Sequence, residues 1–511
     1  MIIRGGIDSS TGYGMTYSDD PIWATKNWCG ILLMKQAVKD QNNLYFITKP
    51  KKMKHYLNIL SIFLIALIAF QCQESAEQTY EEGLPKEVVE SIEKRIAEGM
   101  TPSIAIALID SSGVQYFNFG KTAEGGKPVD ENTIYEIGSI SKVFTGILLA
   151  QQVLDGDIKL DDDISTLLPD SISVPTMGGT AITFGHLSDH TSGLPRMPDN
   201  FAPANPNNPY ADYSVEQMYT FVSTYEPVRA VGAEYEYSNF AQGLLGHMLA
   251  EHQNTTYEDL MVQTIAEPLE MNDTRINFTK SMRDHLALGH AGKEVVENWD
   301  IPTLAGAGGI RSSSSDMAKF ISANLGYVNT PLDKAMEMSH EPRHSKANGM
   351  SVGMGWHIKP GTQGDVIWHN GGTGGYRTFV GFVKDAGKGV VLLTNAATDS
   401  DDIGFHLLDS GSSLKEIQGE SDAVEVAEAT LEKYVGVYAL QPEFNITITK
   451  EGRQLYGQAT GQQRFEMYPE NDTSFFLTVV EAKVTFQMEE DSVKSLTLFQ
   501  AGQEMPGKKV E

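Results

Sequence analysis

The apolar pattern of this chain changes near Tyr434, and this change constrains the fold more than any other feature. Before it, segments with helical spacing mix with buried, strand-like runs, which is typical of an α+β layer architecture. After it, short alternating strands recur with turn signals between them, which predicts a small antiparallel barrel or sandwich. We therefore predict two folded domains, at residues 86–409 and 430–511, with a small, polar and acidic linker at 410–429.

Local spacing and turn residues predict the elements of both domains. In the first domain we expect helices at 86–98, 138–150, 238–251 and 313–320, and strands at 103–109, 114–119, 380–382 and 389–395. In the second domain we expect seven strands, at 435–438, 445–449, 454–459, 465–468, 474–479, 483–488 and 495–499. The glycine-rich segment 305–310 predicts a tight turn. The proline- and asparagine-rich segment 197–213 is either a lid or binding loop, or a surface excursion without a role.

The composition is that of a globular protein with an acidic surface. The chain has 511 residues, of which 41 % are hydrophobic and 21 % are charged, and its formal net charge is −28. No segment forms a basic stripe, so we expect no nucleic-acid partner. A soluble acidic surface is the interpretation that we prefer.

Residues 53–72 have the pattern of a secretory signal peptide. A lysine-rich stretch precedes an apolar run at 57–70, and this run is short for a membrane-spanning helix. Met53 is a better translation start than the first methionine, because the longer chain would bury the signal peptide internally. We therefore interpret 1–52 as misannotated upstream sequence and 73–85 as a flexible tether.

The position of Cys72 bears on how the chain is held in the cell envelope. The chain has two cysteines, Cys29 and Cys72, and the second follows the apolar run directly. Bacterial proteins often carry a lipid on a cysteine at such a place, although Gln71 fits the usual small-residue pattern poorly. A lipid anchor through Cys72 is the outcome that we favour. The alternative is ordinary cleavage that leaves a soluble periplasmic protein, and both outcomes predict a bacterial cell-envelope location.

The most informative chemical motif is Ser139-Ile140-Ser141-Lys142, at the start of a predicted helix. Residues three apart share a helix face, so the spacing places a serine hydroxyl beside a lysine amine. A lysine whose pKa is lowered by burial or by a nearby cation can activate a serine as a nucleophile. The pattern alone is weak, because it recurs at Ser91/Lys94 and Ser412/Lys415.

Two later motifs strengthen the prediction of acyl transfer. Tyr237-Ser238-Asn239 could present a phenol for proton relay and an amide that binds a substrate carbonyl or amide. His369-Asn370-Gly371-Gly372 follows a tryptophan and reads as a strand that runs into glycines. Glycine at such a place allows close approach of a substrate, and a bare backbone N–H there could form half of an oxyanion hole.

Residues 86–400 resemble the class C β-lactamase-like serine hydrolases, in which three such motifs occur in this order. The surrounding sequence is similar as well, at 134–139, 190–195 and 308–313. The family includes β-lactamases, penicillin-binding carboxypeptidases, D-aminopeptidases and esterases. The resemblance implies an antiparallel sheet flanked by helices. The region of about 430–511 resembles the lipocalin-like β-barrel domain that some members carry.

The resemblance also implies a role for each motif residue. Ser139 would be the acylated nucleophile, and Lys142 and Tyr237 would share the general-base work. The N–H groups of Ser139 and Gly372 would hold the oxyanion, and losing one such donor typically lowers the rate by about 10²–10³. Neither a metal nor a cofactor is implied. The implied substrate-binding residues are Asn239, His369, Asn370, Gly371 and Gly372.

One departure from the family pattern bears on the substrate. Many β-lactamases and peptidases of this superfamily have Lys-Thr-Gly where this chain has His369-Asn370-Gly371. A lysine is a permanent cation that can bind the carboxylate of a penicillin or of D-Ala-D-Ala, whereas histidine is mostly neutral at pH 7. The exchange favours an esterase or amidase over an efficient β-lactamase. Arg377, just downstream, could supply the missing charge.

We therefore predict an envelope serine hydrolase whose partner is a small-molecule or peptide substrate. Amides or esters are expected, with D-amino-acid peptides of the cell wall and small esters as candidates. The alternatives are a true class C-type β-lactamase and a catalytically silent binding or sensor protein. His186 and His190 could share a helix face, but no metal-peptidase glutamate follows His186. We interpret both as structural histidines.

Overall fold

The computed structural model describes residues 83–510, apart from 443, 462–463, 479–481, 490–491 and 501–502. The predictions for 1–52 and 53–72, and for most of the tether at 73–85, lie outside the described residues. No helix in the described part of the chain is long and apolar enough to cross a membrane.

The described residues form twelve α-helices. They are α1 Lys86–Ala97, α2 Ser141–Asp155, α3 Phe184–Ser188, α4 Val215–Thr224, α5 Asn239–His252, α6 Tyr257–Met261, α7 Lys280–Asp284, α8 Ala305–Gly308, α9 Ser314–Asn324, α10 Asp333–Ser339, α11 Asp401–Leu408 and α12 Glu428–Tyr434. Short 3₁₀ turns lie at Gly138–Ile140, Ile164–Leu167, Ala347–Gly349 and Glu420–Asp422, and a π-turn lies at Val262–Ala266.

The same residues form twenty strands. Those of the first domain are β1 Ser103–Asp110, β2 Gly113–Gly120, β3 Ile134–Glu136, β4 His290–Ala291, β5 Glu294–Val295, β6 Arg311–Ser313, β7 His344–Ser345, β8 Ser351–Val352, β9 His357–Lys359, β10 Val366–Gly372, β11 Arg377–Val383 and β12 Lys388–Thr394. Those of the second are β13 Gly436–Gln441, β14 Phe444–Glu451, β15 Gln454–Ala459, β16 Arg464–Pro469, β17 Ser474–Leu477, β18 Ala482–Glu489, β19 Ser492–Gln500 and β20 Gln503–Lys509.

An eight-stranded antiparallel sheet in the order β2-β1-β12-β11-β10-β9-β8-β7 forms the centre of the first domain. Side chains alternate between the two faces of a strand, and β1 shows this clearly. Ala105 and Ala107 belong to a large apolar core with α2, α5 and α9, whereas Ile104 and Ile106 belong to a second core with α1 and α11. The predicted α+β fold, an antiparallel sheet flanked by helices, is confirmed.

Helix α2 lies inside the first core and is buried on all sides over its first ten residues. Every residue from Ser141 to Ala150 is buried, as expected for a helix that is apolar all round. The helix ends at Gly156, which takes the left-handed conformation at φ 82° that a glycine C-cap favours. Because α2 cannot shift without opening the core, residues at its start have fixed positions.

The second domain is a closed barrel in which eight strands follow one another in sequence order and β13 pairs with β20. Helix α12 packs into it, and the Tyr434 ring stacks on Phe486 with a centroid distance of 4.2 Å. The sequence predicted a barrel or sandwich with seven strands. Strand β20 was missed because Pro506, Lys508 and Lys509 interrupt the alternating pattern, and its pairing with β19 and β13 arises from barrel closure.

The segment before the barrel makes polar contacts with both domains. Asp422 forms an ion pair of 2.7 Å with Lys94 on α1, and Glu420 forms one of 3.1 Å with Lys293. On the barrel side, the Val424 N–H donates to the Pro469 carbonyl at 2.9 Å. Each ion pair between exposed charges contributes little to the free energy of folding. We therefore interpret these contacts as orienting the barrel against the first domain.

One local prediction in the first domain was wrong, and one arrangement that the sequence allowed is not formed. Residues Ala305–Gly308, expected as a tight turn, form the single-turn helix α8, which packs against α5 and α2. His186 and His190 do not share a helix face, because α3 ends at Ser188 and His190 lies beyond it with φ 63°.

Candidate active site

Ser139 lies in the 3₁₀ turn that leads into α2, directly beside the end of strand β10. Gly138 makes this approach possible, because its φ is 52° and a Cβ there would lie 2.7 Å from the Gly372 nitrogen. A larger residue would push the turn away from the strand. The half-buried Ser139 and Gly372 consequently line the same cleft.

Lys142 lies in the first turn of α2, and its fully buried side chain reaches Ser139. The Nζ atom is 3.0 Å from Ser139 Oγ, 2.9 Å from Asn239 Oδ1 and 2.6 Å from the Ala307 carbonyl oxygen. The last two oxygens can only accept hydrogen bonds. A neutral amine has two N–H groups for them, so its lone pair faces the serine hydroxyl. The geometry is therefore that of a base poised to take the Ser139 proton.

The electrostatic setting favours the neutral form of this amine. Burial lowers the pKa of Lys142 well below its usual value, and the positive charge of Arg196 lowers it further. Within the part of the chain that the structure describes, no carboxylate lies within 4 Å of Lys142 to oppose these effects. A lysine in such surroundings can act as a general base.

Tyr237 and Asn239 reach the site from the segment that starts α5. Ser238 caps the helix by accepting the Ala241 N–H at 2.9 Å, which fixes the direction of its two neighbours. Burial raises the pKa of Tyr237, and a hydrogen bond to the Ser139 side chain opposes the rise. Tyr237 therefore holds its proton at neutral pH, and its hydroxyl can relay a proton beside Ser139.

The motif on β10 divides between the two faces of the sheet. His369 is fully buried behind Tyr237, with 6.2 Å between the ring centroids. Asn370 points to the other face and donates to Asp401, whose pKa is raised to about 7 by burial and by Asp399. The side chains of His369 and Asn370 do not line the cleft, so their predicted contact with substrate stays a prediction.

Gly371 and Gly372 bring β10 close to its neighbours. A Cβ at Gly371 would collide with the Ile137 carbonyl, and one at Gly372 would collide with the guanidinium of Arg377. Gly372 pairs with Arg377 across the strands. The absence of side chains therefore lets the strand approach the serine turn on one side and lets Arg377 lie beside the predicted oxyanion donor.

The cleft above Ser139 has a volume of about 290 Å³ and polar and aromatic walls. Its floor includes Ser139, Asn239, and Ala307 and Gly308 of α8. The remaining lining residues are Arg196, Met197, Tyr210, Trp299, Ile301, Gly372, Thr373 and Arg377. A cleft of this kind, with a few polar groups converging on a reactive side chain, is typical of a small-molecule site.

Segment 197–213 contributes one wall of the cleft, through Met197 and Tyr210. The Tyr210 ring lies 5.4 Å from that of Trp299, and the loop is tied to the Trp299 segment by hydrogen bonds of 3.0 Å from Asn205 to Glu297 and from Asn208 to Asp300. Of the two interpretations that the sequence left open, this geometry supports the binding loop.

Sequence reasoning missed Arg196, Trp299 and Tyr210 as individual lining residues. Arg196 and Tyr210 lie in the irregular segment between α3 and α4, Trp299 lies in the loop before α8, and no spacing rule links them to Ser139. A signal existed for two of them, because Tyr210 lies in the 197–213 segment that was noted as a possible binding loop, and Arg196 follows the 190–195 segment that was noted as a family similarity.

Three buried histidines surround Tyr237 on the side away from the cleft. His190 stacks on the tyrosine at 4.7 Å, and His357 stacks on His369 at 4.8 Å. Burial is the largest cause that lowers the pKa of all three, so they are neutral at pH 7. In the described ranges, no group of three His, Cys, Asp or Glu side chains is arranged to hold a metal ion.

Comparison with known families agrees with this geometry. Residues 88–409, more than half of the chain, match the family described as Beta-lactamase. The chain belongs to the Beta-lactamase family. It is therefore a β-lactamase-related serine hydrolase. Residues 420–509 match a second family, described as a domain of unknown function (DUF3471).

Relatives with different names match the chain over most of their own length. A "Beta-lactamase" of Pseudomonas fluorescens is 28 % identical over 61 % of this chain and 93 % of its own. A "D-alanyl-D-alanine-carboxypeptidase/endopeptidase AmpH" of Escherichia coli is 28 % identical over 58 % and 80 %. A solved structure of an octameric penicillin-binding protein homologue from Pyrococcus abyssi shares the fold, with a TM-score of 0.56, 22 % identity, and coverage of 83 % and 99 %.

Replacing Lys142 by arginine tests the role of the buried amine. A guanidinium stays protonated in proteins and has no lone pair to offer Ser139, so Lys142→Arg should lower kcat for an ester by about 10²–10⁴. In the parent, the rate should fall as acid protonates Lys142, with a midpoint well below the usual lysine pKa. Lys319→Arg, an exchange of the same kind outside the cleft, should leave kcat unchanged. Equal rates for Lys142→Arg and the parent would contradict the assignment.

Proposed function

We propose that the chain hydrolyses amide or ester substrates through an acyl-enzyme on Ser139. The observation that carries the proposal is the contact of 3.0 Å between Lys142 Nζ and Ser139 Oγ, made by a buried amine without a carboxylate partner among the described residues. D-amino-acid peptides of the cell wall and small esters are the proposed substrates.

The proposed reaction uses two acyl transfers. Ser139 Oγ attacks the substrate carbonyl while its proton passes to Lys142 Nζ, directly or through the Tyr237 hydroxyl. The N–H groups of Ser139 and Gly372 stabilise the negative oxygen. The proton then goes to the leaving amine or alcohol as its bond to the acyl carbon breaks. A water molecule, deprotonated by the same base, releases the acid and restores the serine.

The walls of the cleft support a substrate that carries both an apolar group and an anionic group. Tyr210 and Trp299 form an aromatic wall, and such rings bind apolar groups with favourable geometry. Arg377 and Arg196 lie among the lining residues and carry fixed positive charge. Arg377 lies beside Gly372, close to where the carbonyl oxygen of a substrate would bind. A carboxylate near the scissile bond, as in the D-Ala-D-Ala of AmpH's name, fits this arrangement.

A true class C-type β-lactamase is the second candidate function. Several relatives bear the name Beta-lactamase, and the Ser139, Lys142 and Tyr237 arrangement suits attack on a lactam. His369, however, is buried and neutral where many β-lactamases of the superfamily have lysine. Among the described residues that line the cleft, Arg377 and Arg196 are then the cations available to bind the β-lactam carboxylate. A catalytically silent binding protein would not need a buried lysine with a lowered pKa beside a serine, so we rank that alternative last.

We further propose a cell-envelope location. The proposal rests on the signal-like sequence at 53–72, on Cys72 as a lipid attachment point, and on the D-alanyl-D-alanine substrate in the name of AmpH. The barrel at 436–509 and the hydrolase domain would then both lie outside the cytoplasmic membrane.

Covalent labelling tests the proposed function. A fluorophosphonate forms a stable bond with an activated serine, so intact-mass spectrometry should show one adduct on the purified protein and none on Ser139→Ala. Ser412→Ala removes the serine of another Ser-x-x-Lys copy and should keep the adduct. A folded parent without any adduct would overturn the proposed function and would favour the silent binding protein.

Removing the charge of Arg377 tests the anionic substrate. Loss of a charge-assisted hydrogen bond typically costs about 1.5–3 kcal/mol, so Arg377→Gln should raise KM for a D-Ala-D-Ala peptide by about 10-fold or more. KM for a neutral ester should stay within about twofold of the parent. Arg453→Gln removes the same charge from an exposed position on the barrel and should change neither value. An unchanged KM for the peptide in Arg377→Gln would remove Arg377 from substrate binding.

A further inference from the structure

We propose that His190 is a positioning residue for Tyr237, and that only its neutral ring can hold the tyrosine in place. This inference rests on the proposed function, because it concerns the proton relay of the same site. It assigns a role to a histidine that the sequence alone marks as structural.

Tyr237 lies in a part of the chain that has little regular structure to hold it. Residues 225–238, between α4 and α5, form turns and irregular backbone without a helix or strand. The usual ladder of backbone hydrogen bonds is therefore missing around the tyrosine. Whatever holds its ring beside Ser139 must come from other segments.

The backbone and ring of His190 bind both chain neighbours of Tyr237. The Glu236 N–H donates to the His190 carbonyl at 2.8 Å, and the Ser238 N–H donates to His190 Nδ1 at 3.1 Å. Together these bonds fix the backbone on each side of the tyrosine. These two hydrogen bonds to His190 take the place of the backbone hydrogen bonds that a helix or strand would provide.

His190 makes these contacts from a strained backbone conformation. Its φ of 63° is in the left-handed region, and among the described non-glycine residues only Asn254 and Glu270 share a positive φ. Side chains rarely adopt this region because the Cβ atom crowds the backbone. Strain that persists at a buried position near a reactive group is a reason to look for a functional role.

The imidazole ring also packs directly on the Tyr237 ring. The ring centroids are 4.7 Å apart with an interplanar angle of 30°, and His190 is only 2 % exposed. On the far side, Tyr235 meets the same imidazole edge-on at 5.6 Å. The Tyr237 ring is therefore held by a flat, buried surface, and its hydroxyl is close enough to the Ser139 side chain for the serine to lower the pKa of the tyrosine.

The hydrogen bond to Ser238 requires a neutral imidazole. Since Nδ1 accepts, the ring proton is on Nε2, which has no partner among the described residues. The charged or titratable groups that act on the ring are Lys142, His357, Lys346 and Arg196, and His369 lies within the same cluster. Burial is the largest cause that lowers the pKa of His190, and the positive charges of Lys346 and Arg196 lower it further, so the contact persists into mildly acidic solution.

A double-mutant cycle tests the proposal. His190→Gly keeps the left-handed backbone but removes ring and acceptor, and it should lower the fluorophosphonate labelling rate of Ser139 by about 10²-fold, as a misplacement of about 1 Å can. His190→Asn also tolerates this backbone and retains an acceptor at the δ position, so it should recover part of the rate. In a Tyr237→Phe background, where no hydroxyl needs placing, His190→Gly should cause no further loss.

The matched control is Asn254→Gly, which makes the same kind of exchange at a left-handed position away from the cleft. It should leave the labelling rate unchanged, and melting temperatures should show that all variants are folded. Equal losses from His190→Gly with and without the Tyr237 hydroxyl would mean a general structural role and would overturn the inference alone. A parent that takes no label would overturn the proposed function and this inference with it.

Discussion

The burial of the Lys142 amine is the interaction on which the rest of the site depends. An isolated charge is costly to bury, so such an amine loses its proton instead. Helix α2 enforces this burial because every residue from Ser141 to Ala150 is buried, so its first turn cannot move toward solvent. The carbonyl oxygens of Asn239 and Ala307 take the two N–H groups of the neutral amine, which leaves the lone pair for Ser139. One packing constraint thus determines both the protonation state and the direction of the base.

The other elements of the site are held against this fixed point by close backbone contacts. Gly138 and Gly371 let the serine turn and strand β10 meet without side chains between them, while Ser238 caps α5 so that Tyr237 and Asn239 enter from a third direction. The neutral histidines behind Tyr237 add packing without adding charge. Positive charge instead lies in the cleft, at Arg196 and Arg377. Among the described residues, no buried acid contacts Lys142, so the neutral amine alone activates the serine. The two arginines in the cleft remain available to bind a substrate anion.

The sequence predicted those parts of the molecule that depend on local spacing. Ser139 and Lys142 are three residues apart on a helical turn, and the alternating strands after Tyr434 correctly indicated a barrel. Features that depend on tertiary contact were not predictable. Trp299 and Arg196 reach the cleft from unrelated loops, and strand β20 forms only because the barrel closes around Pro506 and its charged neighbours. The burial of His369 behind Tyr237 also depends on tertiary packing, and its expected contact with substrate stays a prediction. The left-handed backbone at His190 has no sequence signal either, since few residues other than glycine adopt this conformation.

The central claim is that Lys142 is a neutral amine in the resting enzyme. Its pKa can be measured by nuclear magnetic resonance, from the shift of the 13Cε signal of labelled lysine with pH, assigned by the signal that disappears in a Lys142→Met variant. An ordinary lysine titrates at about 10.4. We expect the Lys142 signal to titrate well below that value while the exposed lysines titrate near it. A Lys142 signal that titrates together with the exposed lysines would show a charged amine at neutral pH and would contradict this account of the site.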